Sequence, residues 1–399
     1  MPRVLRILNR LAVGGPVLNA TYLTRYLAPE FETLLVVGER ESHEKSADFI
    51  TEKLGIRYTT INGMGRSVDP LGDYRAYGEL KKLIRTFRPH IVHTHSAKPG
   101  AIGRLAASAA GVPVVVHTFH GHVFHSYFNP VKTRFFINAE RYLARKSSAI
   151  IAISDAQKKE LVHNFRIAPE AKFAVIPLGL DLDAFATGQD EKRKRFRAEF
   201  GLADDEIAIG IIGRLVPVKN HQLFISAIAH VLQHGGKKVK AFIIGDGETR
   251  AALEHAARQA GIAFTTETAG THPHPLVFTS WRHDVDVINA GLDIITLTSF
   301  NEGTPVSLIE AQAANKPIVS TRVGGITDIV LEGKTALLAD VNDAGAFSAH
   351  LLHLVKNDTL RQQLGQTGRQ HVLERYSYQR LMRDMAALYT NLLKTKSTT

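Results

Sequence analysis

Short runs of apolar and β-branched residues recur along the whole chain, and most are followed by a stretch with helical spacing. The runs are nearly continuous instead of alternating, which is typical of strands buried on both faces of a parallel sheet. The first half contains runs at 4–8, 33–37, 90–95, 114–120, 149–154 and 173–179. The second half contains runs at 207–213, 241–247, 276–281, 293–299 and 317–325. This pattern predicts the α/β class, with parallel strands joined by helices.

A polar, charged segment that is poor in strand-forming residues follows Phe185 and separates the two halves. Each half repeats the order of strand, glycine-bearing turn and helix. We therefore expect two doubly wound, Rossmann-like domains, 1–185 and 186–376, that face each other across a cleft.

The last segment, 377–399, is predicted to form a C-terminal helix. Its apolar side chains share one face and need a surface to cover, so we expect the helix to pack back on the N-terminal domain. The face comprises Leu381, Met385, Leu388 and Leu392.

Composition narrows the class of protein. The 399 residues are 44% hydrophobic and 22% charged, the balance of a globular protein, which excludes disorder as the main state. The chain has no cysteine, which excludes disulfide scaffolds, thiolate zinc sites and cysteine nucleophiles. The sequence contains no apolar run of the ~20 residues that a membrane-spanning helix needs. The N-terminal segment predicts a first strand instead of a signal peptide, so we expect a cytoplasmic protein.

Charge adds a preference for anionic partners. Lys and Arg number 49 against 38 Asp and Glu, which gives a formal charge of +11. A nucleic-acid-binding protein is the alternative from another class. It would need basic residues clustered with aromatic ones, and here the cations are dispersed, so we expect no nucleic-acid partner.

Ligands of doubly wound sheets bind beyond the carboxyl ends of the strands, so the residues there are the candidates for chemistry. Gly14 and Gly15 follow the first strand and leave its turn open to a ligand, although a plain tight turn explains them equally well. Arg214 and Lys219 follow the first strand of the second half. Two cations one short loop apart can neutralise a diphosphate, although a solvated loop is the commoner explanation of such residues.

The segment SFNEGTPVSLIE combines carboxylates with a helix start. Gly303, Thr304 and Pro305 open the helix, and the backbone amides there can bind an anion. Glu302 just before the helix and Glu310 within it can accept hydrogen bonds from sugar or ribose hydroxyls. The alternative is a capping role for Glu302 and an exposed Glu310.

Histidines cluster at two neighbouring strand ends. His93 and His95 share a face of one strand, and His120 ends the next, where it could donate a hydrogen bond or act as a base. His117 lies three residues before His120 and hence on the opposite face, which weakens a shared metal site. Histidines satisfied by the backbone remain an alternative.

The stretch KTRFFINAERYLARK can form an amphipathic helix, which could lie on an anionic membrane surface. More often such a helix packs its apolar stripe on its own sheet. That stripe comprises Phe135, Phe136, Ala139, Tyr142 and Leu143.

Together these segments resemble the retaining glycosyltransferases of family 4, which have the two-domain GT-B architecture. The resemblance covers most of the chain. The matching motifs are VGG near the N-terminus, HIVHTH, HTFHG, AISD, VIPLGLDLDAF, IGRLVPVKN, IIGDGE and SFNEGTPVSLIEAQAANKPIVSTRVGG. In the last motif Glu302 and Glu310 have seven residues between them and match the family's E-x7-E element.

The resemblance implies a role for each matched residue. Gly15 would let the donor diphosphate approach, Arg214 and Lys219 would hold it, and His120 would lie near the reacting sugar. Glu302 and the amides after it would contact the donor sugar and phosphate, while Glu310 would bind the ribose.

The backbone around Arg282 would meet the base. Two departures concern glycines of the family pattern: Ser280 or Trp281 stands at the base contact, and Asn315 stands at the end of a helix, where asparagine tolerates the left-handed conformation. The segment 265–275 is longer than is typical, and the sequence assigns it no role.

The implied activity is transfer of a sugar from a nucleotide sugar, most simply a UDP-sugar, to an acceptor hydroxyl with retention. The implied acceptor is a lipid-linked saccharide of capsule, exopolysaccharide or lipopolysaccharide assembly, which would place the enzyme at the inner face of the cytoplasmic membrane. No cofactor and no metal are expected. The alternative within the fold is a nucleotide-sugar epimerase or hydrolase.

Overall fold

The computed structural model describes residues 1–12, 14–40, 46–65, 69–121, 130–267 and 270–397. The chain divides into two compact units. The first unit is Met1–Leu180 together with Tyr376–Thr399, and the second is Asp181–Arg375. Each unit is a three-layer α/β structure around a parallel sheet, in agreement with the predicted class.

The first unit alternates strands and helices along most of its length. In chain order its elements are β1 (Arg3–Leu8), α1 (Gly15–Tyr26), β2 (Glu32–Gly38), α2 (Asp48–Lys53), β3 (Tyr58–Ile61), α3 (Pro70–Phe87), β4 (Ile91–His95), α4 (Ala97–Ala109), β5 (Val114–Phe119), α5 (Pro130–Arg145), β6 (Ala149–Ala152), α6 (Asp155–Lys159), a π-helical turn (Glu160–Asn164), a 3-10 turn (Glu170–Lys172) and β7 (Phe173–Val175).

The described strands of the first unit pair in the order β3-β2-β1-β4-β5-β6-β7, all parallel. The order reverses between β1 and β4, which is the topological switch point where doubly wound sheets bind ligands. Strands β4 and β5 are buried along their whole length, including their histidines and threonines, as central strands of a parallel sheet are.

The second unit repeats this plan. Its elements are α7 (Asp183–Ala186), α8 (Gln189–Glu199), β8 (Ile207–Ile212), a 3-10 turn (Pro217–Lys219), α9 (His221–His234), β9 (Val239–Ile244), α10 (Arg250–Gln259), β10 (Phe264–Thr265), β11 (Leu276–Ser280), α11 (Val285–Gly291), β12 (Ile294–Leu297), α12 (Val306–Ala313), β13 (Ile318–Thr321), α13 (Ile326–Ile329), β14 (Ala336–Ala339), α14 (Ala344–Lys356) and α15 (Asp358–Tyr376).

The described strands of the second sheet pair in the order β10-β11-β9-β8-β12-β13-β14, again all parallel. The switch point lies between β8 and β12, so the loops after these two strands emerge side by side. The core on one side of the sheet includes Phe224, Phe278 and Phe347.

The C-terminal helix α16 (Tyr378–Ser397) belongs to the first unit. Leu381 and Met385 are buried there against Val4 and Val114, and Leu388 and Leu392 pack at the edge of the same cluster. Burying this apolar stripe removes it from water and holds the helix in place.

The predicted domain boundaries differ from the observed ones. The units divide after Leu180 instead of after residue 185, because the short helix α7 packs on α11 and α12 of the second unit. The charged segment after Phe185 contains helix α8, which lies in the second unit and inside the predicted bounds 186–376. The second boundary lies after Arg375, one residue before the predicted position.

All the predicted strands are present, and three others escaped the sequence pattern. β3 is an edge strand with exposed Tyr58, Thr59 and Thr60, and β10 has two residues, so neither shows an apolar run. β14 reads ALLA and lacks β-branched residues.

Candidate active site

An ion pair joins the two loops at the switch point of the second sheet. Lys219, in the 3-10 turn after β8, places its Nζ 2.6 Å from Oε1 of Glu302, in the loop after β12. Thr298 Oγ1 donates to the carbonyl of Lys219 at 2.8 Å, and the amide of Phe300 donates to the carbonyl of Val218 at 2.8 Å. The backbones of the two loops are therefore held together independently of the ion pair.

The carboxylate of Glu302 has a second donor, since the hydroxyl of Ser299 also bonds to Oε1. The side chains of Lys219 and Glu302 are only 20% and 10% exposed, so the pair is weakly screened by solvent. The sequence singled out both members of this pair but not Ser299, which precedes Glu302 by three residues.

Gly324 and Gly325 pack closely against the backbone of Glu302 and Gly303. A Cβ at Gly324, which has a φ of +49°, would lie 2.0 Å from the carbonyl oxygen of Glu302. A Cβ at Gly325 would lie 1.7 Å from the carbonyl oxygen of Gly303, and the amide of Gly325 donates to Glu302. Only glycines permit this close approach. The motif VGG after β13 could have indicated this close backbone approach, but its glycines were not among the predicted site residues.

Arg214 has no fixed partner. Its side chain is exposed and makes no hydrogen bond or ion pair with any residue that the structure describes. The structure thus brings Lys219 and Glu302 together and leaves the guanidinium of Arg214, in the same loop, available to an anion. Its forked donors suit the paired oxygens of a phosphate group.

Helix α12 begins directly after these groups. Pro305 is its N-cap residue, so the predicted helix start is confirmed within one residue. Within the described chain, the amides of Gly303 and Thr304 donate to no backbone carbonyl. Unpaired amides at a helix N-terminus attract anions.

Glu310 lies within α12 and is partly buried, so the alternative of an exposed Glu310 is wrong. Burial raises the pKa of its carboxyl group to about 8, and the nearby charge of Asp286 contributes in the same direction. The carboxyl group is therefore largely protonated at neutral pH in the absence of a ligand.

At the end of β11 the chain takes a left-handed turn at Ser280, which has a φ of +58°. Ser280 is therefore the residue that occupies the glycine position of the family pattern. Its hydroxyl donates to Oδ2 of Asp246 at 2.7 Å, and Arg250 donates to the same oxygen at 3.0 Å. These bonds tie the loop after β11 to the loop after β9.

The guanidinium of Arg282 is occupied within the second unit. It binds Asp284 through two bonds of 2.9 and 2.7 Å and also binds both carboxylate oxygens of Glu199. It lies over the ring of Phe200, 5.6 Å from the centroid. The side chain is thus held by Asp284 and Glu199, and a contact of the backbone here with the base stays a prediction.

The loop after β9, with the sequence GDG, packs against the loop that carries Arg214. A Cβ at Gly245 would lie 2.0 Å from the carbonyl oxygen of Gly213, next to Arg214. The two glycines flanking Asp246 directly after a strand were the available signal.

The left-handed Asn315 ends α12 with a φ of +58°, as predicted. The described part of the unassigned segment 265–275 packs near the end of α8. Lys240 Nζ joins the two by donating to the carbonyls of Phe200 and His272 at 3.1 and 2.9 Å.

Gly14 and Gly15 begin α1 in the first unit. Gly15 is the first helical residue, and Gly14, the N-cap residue, has extended backbone. A Cβ at Gly14 would have no atom closer than 3.7 Å. Neither the dihedral angles of Gly14 nor its packing against the described residues requires glycine there, so a ligand contact at Gly14 and Gly15 stays a prediction.

The histidines of the first unit lie as the strand pattern predicts. The rings of His93 and His95 lie on one face of the sheet, tilted to each other with centroids 4.2 Å apart, and the ring of His120 stacks on that of His95 at 5.2 Å. His117 lies on the opposite face, where it bonds to Thr94 at 2.9 Å. Among the described residues, no group of three or more His, Asp or Glu side chains is arranged to hold a metal ion.

Helix α5 does not bury all of its apolar stripe. Leu143 is buried and Phe136 is half-buried in the core beside β6, whereas Phe135 and Tyr142 are 69% and 53% exposed. Val131, at the same helical face as Phe135, is 78% exposed. The expectation of a single buried face is therefore wrong for the outer part of the stripe.

Sequence profiles of two glycosyltransferase families match the two halves of the chain. The profile described as Glycosyltransferase Family 4 matches residues 13–184, and the one described as Glycosyl transferases group 1 matches residues 192–371. The fold and these matches define the chain as a glycosyltransferase. It belongs to the family 4 glycosyltransferases of GT-B fold, as the sequence motifs indicated.

Particular relatives are similar over most of the chain. A UDP-Gal:alpha-D-GlcNAc-diphosphoundecaprenol alpha-1,3-galactosyltransferase of Escherichia coli is 28% identical over 306 residues, 76% of each chain. The capsular polysaccharide biosynthesis glycosyltransferase CapM of Staphylococcus aureus is 25% identical over 81% of this chain and 83% of its own. The crystal structure of Anabaena HepE in complex with UDP superposes with a TM-score of 0.81 at 17% identity, covering 98% of this chain and 100% of that one.

Proposed function

We propose that this glycosyltransferase moves a sugar from a UDP-sugar to a hydroxyl of a lipid-linked saccharide, with retention at the anomeric carbon. The observation that carries the proposal is the group of charges after β8 and β12: the ion pair of Lys219 and Glu302, the unpaired guanidinium of Arg214 and the open start of α12. A diphosphate needs this combination of fixed cations and free amides, and a ribosyl group needs an acceptor such as Glu310.

In the proposed reaction the bond between the anomeric carbon and the phosphate oxygen breaks, and the acceptor oxygen bonds to the anomeric carbon on the same face of the sugar. The acceptor proton passes to the leaving phosphate, and no covalent bond to the enzyme forms. Arg214, Lys219 and the amides of Gly303 and Thr304 stabilise the negative charge that develops on the leaving diphosphate. This electrostatic contribution is the largest that the site offers.

His120 and Gly15 belong to the first unit and, in this proposal, contact the transferred sugar and the diphosphate, respectively. The backbone at Arg282 contacts the base. The transferred group is a hexosyl or N-acetylhexosaminyl group. The galactosyltransferase and the capsule enzyme among the relatives support a role in capsule, exopolysaccharide or lipopolysaccharide assembly.

A panel of nucleotide sugars tests this proposal. We expect calorimetry to show binding of UDP and of at least one UDP-sugar, and NMR of the product to show the anomeric configuration of the donor. An inverted product would exclude retention. Consumption of the nucleotide sugar without transfer to any saccharide would instead support the epimerase or hydrolase alternative.

We further propose that α5 lies on an anionic membrane surface, at the inner face of the cytoplasmic membrane. Val131, Phe135 and Tyr142 are exposed at spacings that put them on one side of the helix. Beyond its end a cavity of about 430 Å³ has a basic lining, with no carboxylate among the described lining residues. The lining cations are Arg141, Arg145, Arg166 and Lys172. Arg141 and Lys172 donate to backbone carbonyls, but no carboxylate of the described residues pairs with the four cations. An apolar face beside cations that lack a carboxylate partner matches acyl chains beneath acidic headgroups.

Vesicle sedimentation tests the membrane contact. We expect the protein to bind vesicles that contain phosphatidylglycerol and not vesicles of phosphatidylcholine alone, and Phe135→Ser to weaken binding several-fold. Leu232→Ser is the matched control, because Leu232 is also an exposed apolar residue but lies on α9 of the second unit. Equal loss in the two variants would contradict the assignment to α5. Among the residues that the structure describes, none of the helices has both the length and the apolar character needed to cross a bilayer.

A further inference from the structure

A fully buried arginine lies in the first unit without a countercharge. Arg6, in the middle of β1, is 0% exposed, and no carboxylate of the described residues pairs with it. Its Nη1 lies 2.9 Å from Nδ1 of His93 and 3.2 Å from Nε2 of His95, and its Nη2 donates to the hydroxyl of Tyr389 at 3.3 Å. Burying a cation is unfavourable in free energy, and at Arg6 hydrogen bonds are the interactions that offset this cost. These bonds also determine which nitrogen of each neighbouring histidine carries the proton.

Guanidinium groups can only donate hydrogen bonds, so each ring nitrogen that faces Arg6 must accept one. A neutral imidazole has one acceptor nitrogen and one N–H. His95, which accepts at Nε2, therefore carries its proton on Nδ1. His93, which accepts at Nδ1, carries its proton on Nε2, and that N–H donates to Thr118 Oγ1 at 2.7 Å. Tyr389 fits the same scheme, since its hydroxyl donates to Nδ1 of His93 at 2.6 Å.

The assignment extends from His95 to His120. Nδ1 of His95 lies 2.9 Å from Nε2 of His120, so His95 donates and His120 accepts. His120 must then carry its own proton on Nδ1. That nitrogen is buried and has no hydrogen-bond partner among the described residues. Within the described residues, the chain of bonds therefore ends in an N–H without an acceptor just beyond the carboxyl end of β5.

This assignment of protons requires that the three histidine rings are neutral, and their surroundings keep them neutral. Burial lowers the pKa of His93 and His95 well below the ordinary value, and the charge of Arg6 lowers both further. Burial also lowers the pKa of His120 to about 3. A second proton on any ring would put two donors face to face.

We propose that Arg6 is a positioning residue that fixes the proton pattern of the chain His93–His95–His120 and so presents His120 as a hydrogen-bond donor through Nδ1–H. The group it would meet is an uncharged oxygen acceptor such as a hydroxyl of the transferred sugar; this use of the donor rests on the proposed function. With its proton on Nδ1 and Nε2 already occupied, His120 cannot serve as a general base. The pattern thus favours transfer over a reaction that needs a histidine base.

Nitrogen NMR of the full chain, labelled with 15N-histidine, tests the proton pattern without reference to activity. The signals of His120 are assigned by their loss in His120→Gln. We expect Nδ1 of His120 to bear a proton and Nε2 to be bare, unchanged between about pH 5 and 9 because the pKa lies near 3. A proton on Nε2, or a ring that titrates in this range, would overturn the proposal even if the chain is a transferase.

Variants then test whether Arg6 sets the pattern. In Arg6→Met the Nδ1–H form of His120 should lose its dominance, and Arg6→Lys, which keeps a charged donor, should restore it at least in part. Should Arg6→Met fail to fold, His95→Phe breaks the chain while keeping a ring, and the same loss is expected. His117→Gln is the matched control on the opposite face of the sheet and should leave the His120 signals unchanged. An unchanged pattern in both Arg6→Met and His95→Phe would refute the role of Arg6.

The activity of the same variants links the pattern to function. Arg6→Met should lower kcat/KM on the order of tenfold, the loss expected for one hydrogen bond, while the Kd for UDP stays within about twofold of the wild-type value. Arg6→Lys should recover activity in parallel with the NMR signal. Activity that falls equally in Arg6→Lys and His117→Gln would indicate a merely structural effect and contradict the positioning role.

Discussion

Nζ of Lys219 lies 2.6 Å from Oε1 of Glu302, so the positive charge after β8 is already balanced by a carboxylate after β12. A diphosphate that approached this pair would meet a neutral unit. The net positive charge of the two loops comes from Arg214, whose guanidinium is unpaired among the described residues. The two cations that look alike in the sequence therefore differ in the structure: Lys219 is paired with Glu302, whereas the side chain of Arg214 pairs with no described residue. In the proposed function Arg214 accordingly supplies the net charge.

We expect Arg214→Ala and Lys219→Ala each to raise the barrier by about 2–4 kcal/mol, the usual loss for a donor that stabilises developing charge. Lys237→Ala is the control, since Lys237 forms a surface ion pair with Asp358 at 2.6 Å. Single-turnover rates measure the effect. Wild-type rates in folded Arg214→Ala and Lys219→Ala would remove these residues from the site.

The two variants should differ in stability. Lys219→Ala leaves the carboxylate of Glu302, which is only 10% exposed, without its cation, so its midpoint of thermal unfolding should fall. Arg214→Ala removes no contact and should leave the midpoint unchanged. Equal midpoints for the two variants would show that the ion pair contributes nothing to the folded state.

Glu310 makes stability depend on pH with a defined sign. Its folded-state pKa is about 8 against an ordinary 4.5, so the folded protein binds this proton more tightly than the unfolded chain does. Stability is therefore lost as the pH rises from about 4.5 through about 8. Glu310→Gln cannot ionise and should be more stable than the wild type at pH 9, on the order of a few kcal/mol, with the difference vanishing near pH 4.

Denaturant titrations at several pH values measure this difference. Glu79→Gln is the control, because Glu79 is an exposed carboxylate on α3. The same substitution of Glu310 should weaken UDP binding if the carboxylate accepts bonds from the ribose. A variant whose advantage is independent of pH would contradict the raised pKa.

His120→Ala should depress turnover with little loss of UDP affinity. His120 is proposed to contact the transferred sugar and not UDP, and apart from Gly15 the residues proposed to hold UDP belong to the second unit. Calorimetry with UDP and turnover with the donor sugar separate the two effects. A variant that loses UDP affinity but keeps its turnover would reverse this assignment.

The parts of this site that sequence predicts are those that depend on strand order. Lys219 and Glu302 each follow a buried strand, and the parallel topology alone brings such residues to one edge of a sheet. Periodicity cannot reveal that the side chain of Arg282 is bound to Glu199, 83 positions away. Nor can periodicity reveal the partner of Arg6. In the sequence Arg6 is an isolated charge within the first strand, but in the structure it bonds to Tyr389, 383 positions later. Side-chain partners far apart in the chain are set by tertiary packing, which leaves no local pattern.

The division into units shows a related limit. A charged, strand-poor segment predicted the boundary after residue 185, and α8 lies in the second unit as that boundary requires, but α7 packs there as well. Polar composition marked the exposed face of α8, while its buried Phe196 lies beside Gly291 of α11. One apolar side chain on a short helix decides where the helix packs, and composition does not register it.

Catalysis should need no divalent metal. In metal-dependent glycosyltransfer a cation held by carboxylates neutralises the diphosphate, and here Arg214, Lys219 and the amides at the start of α12 can supply that charge. Glu302, the carboxylate in the loop after β12, already bonds to Lys219 and Ser299, which leaves it poorly placed to bind a metal ion. We therefore expect full turnover after exhaustive EDTA treatment and metal-free desalting, with Arg214→Ala as the variant most prone to respond to added Mg²⁺, since the ion could replace the lost charge. Activity of the wild type that vanishes on chelation and returns with Mg²⁺ or Mn²⁺ would defeat the prediction and direct the search to His93, His95 and His120 as ligands.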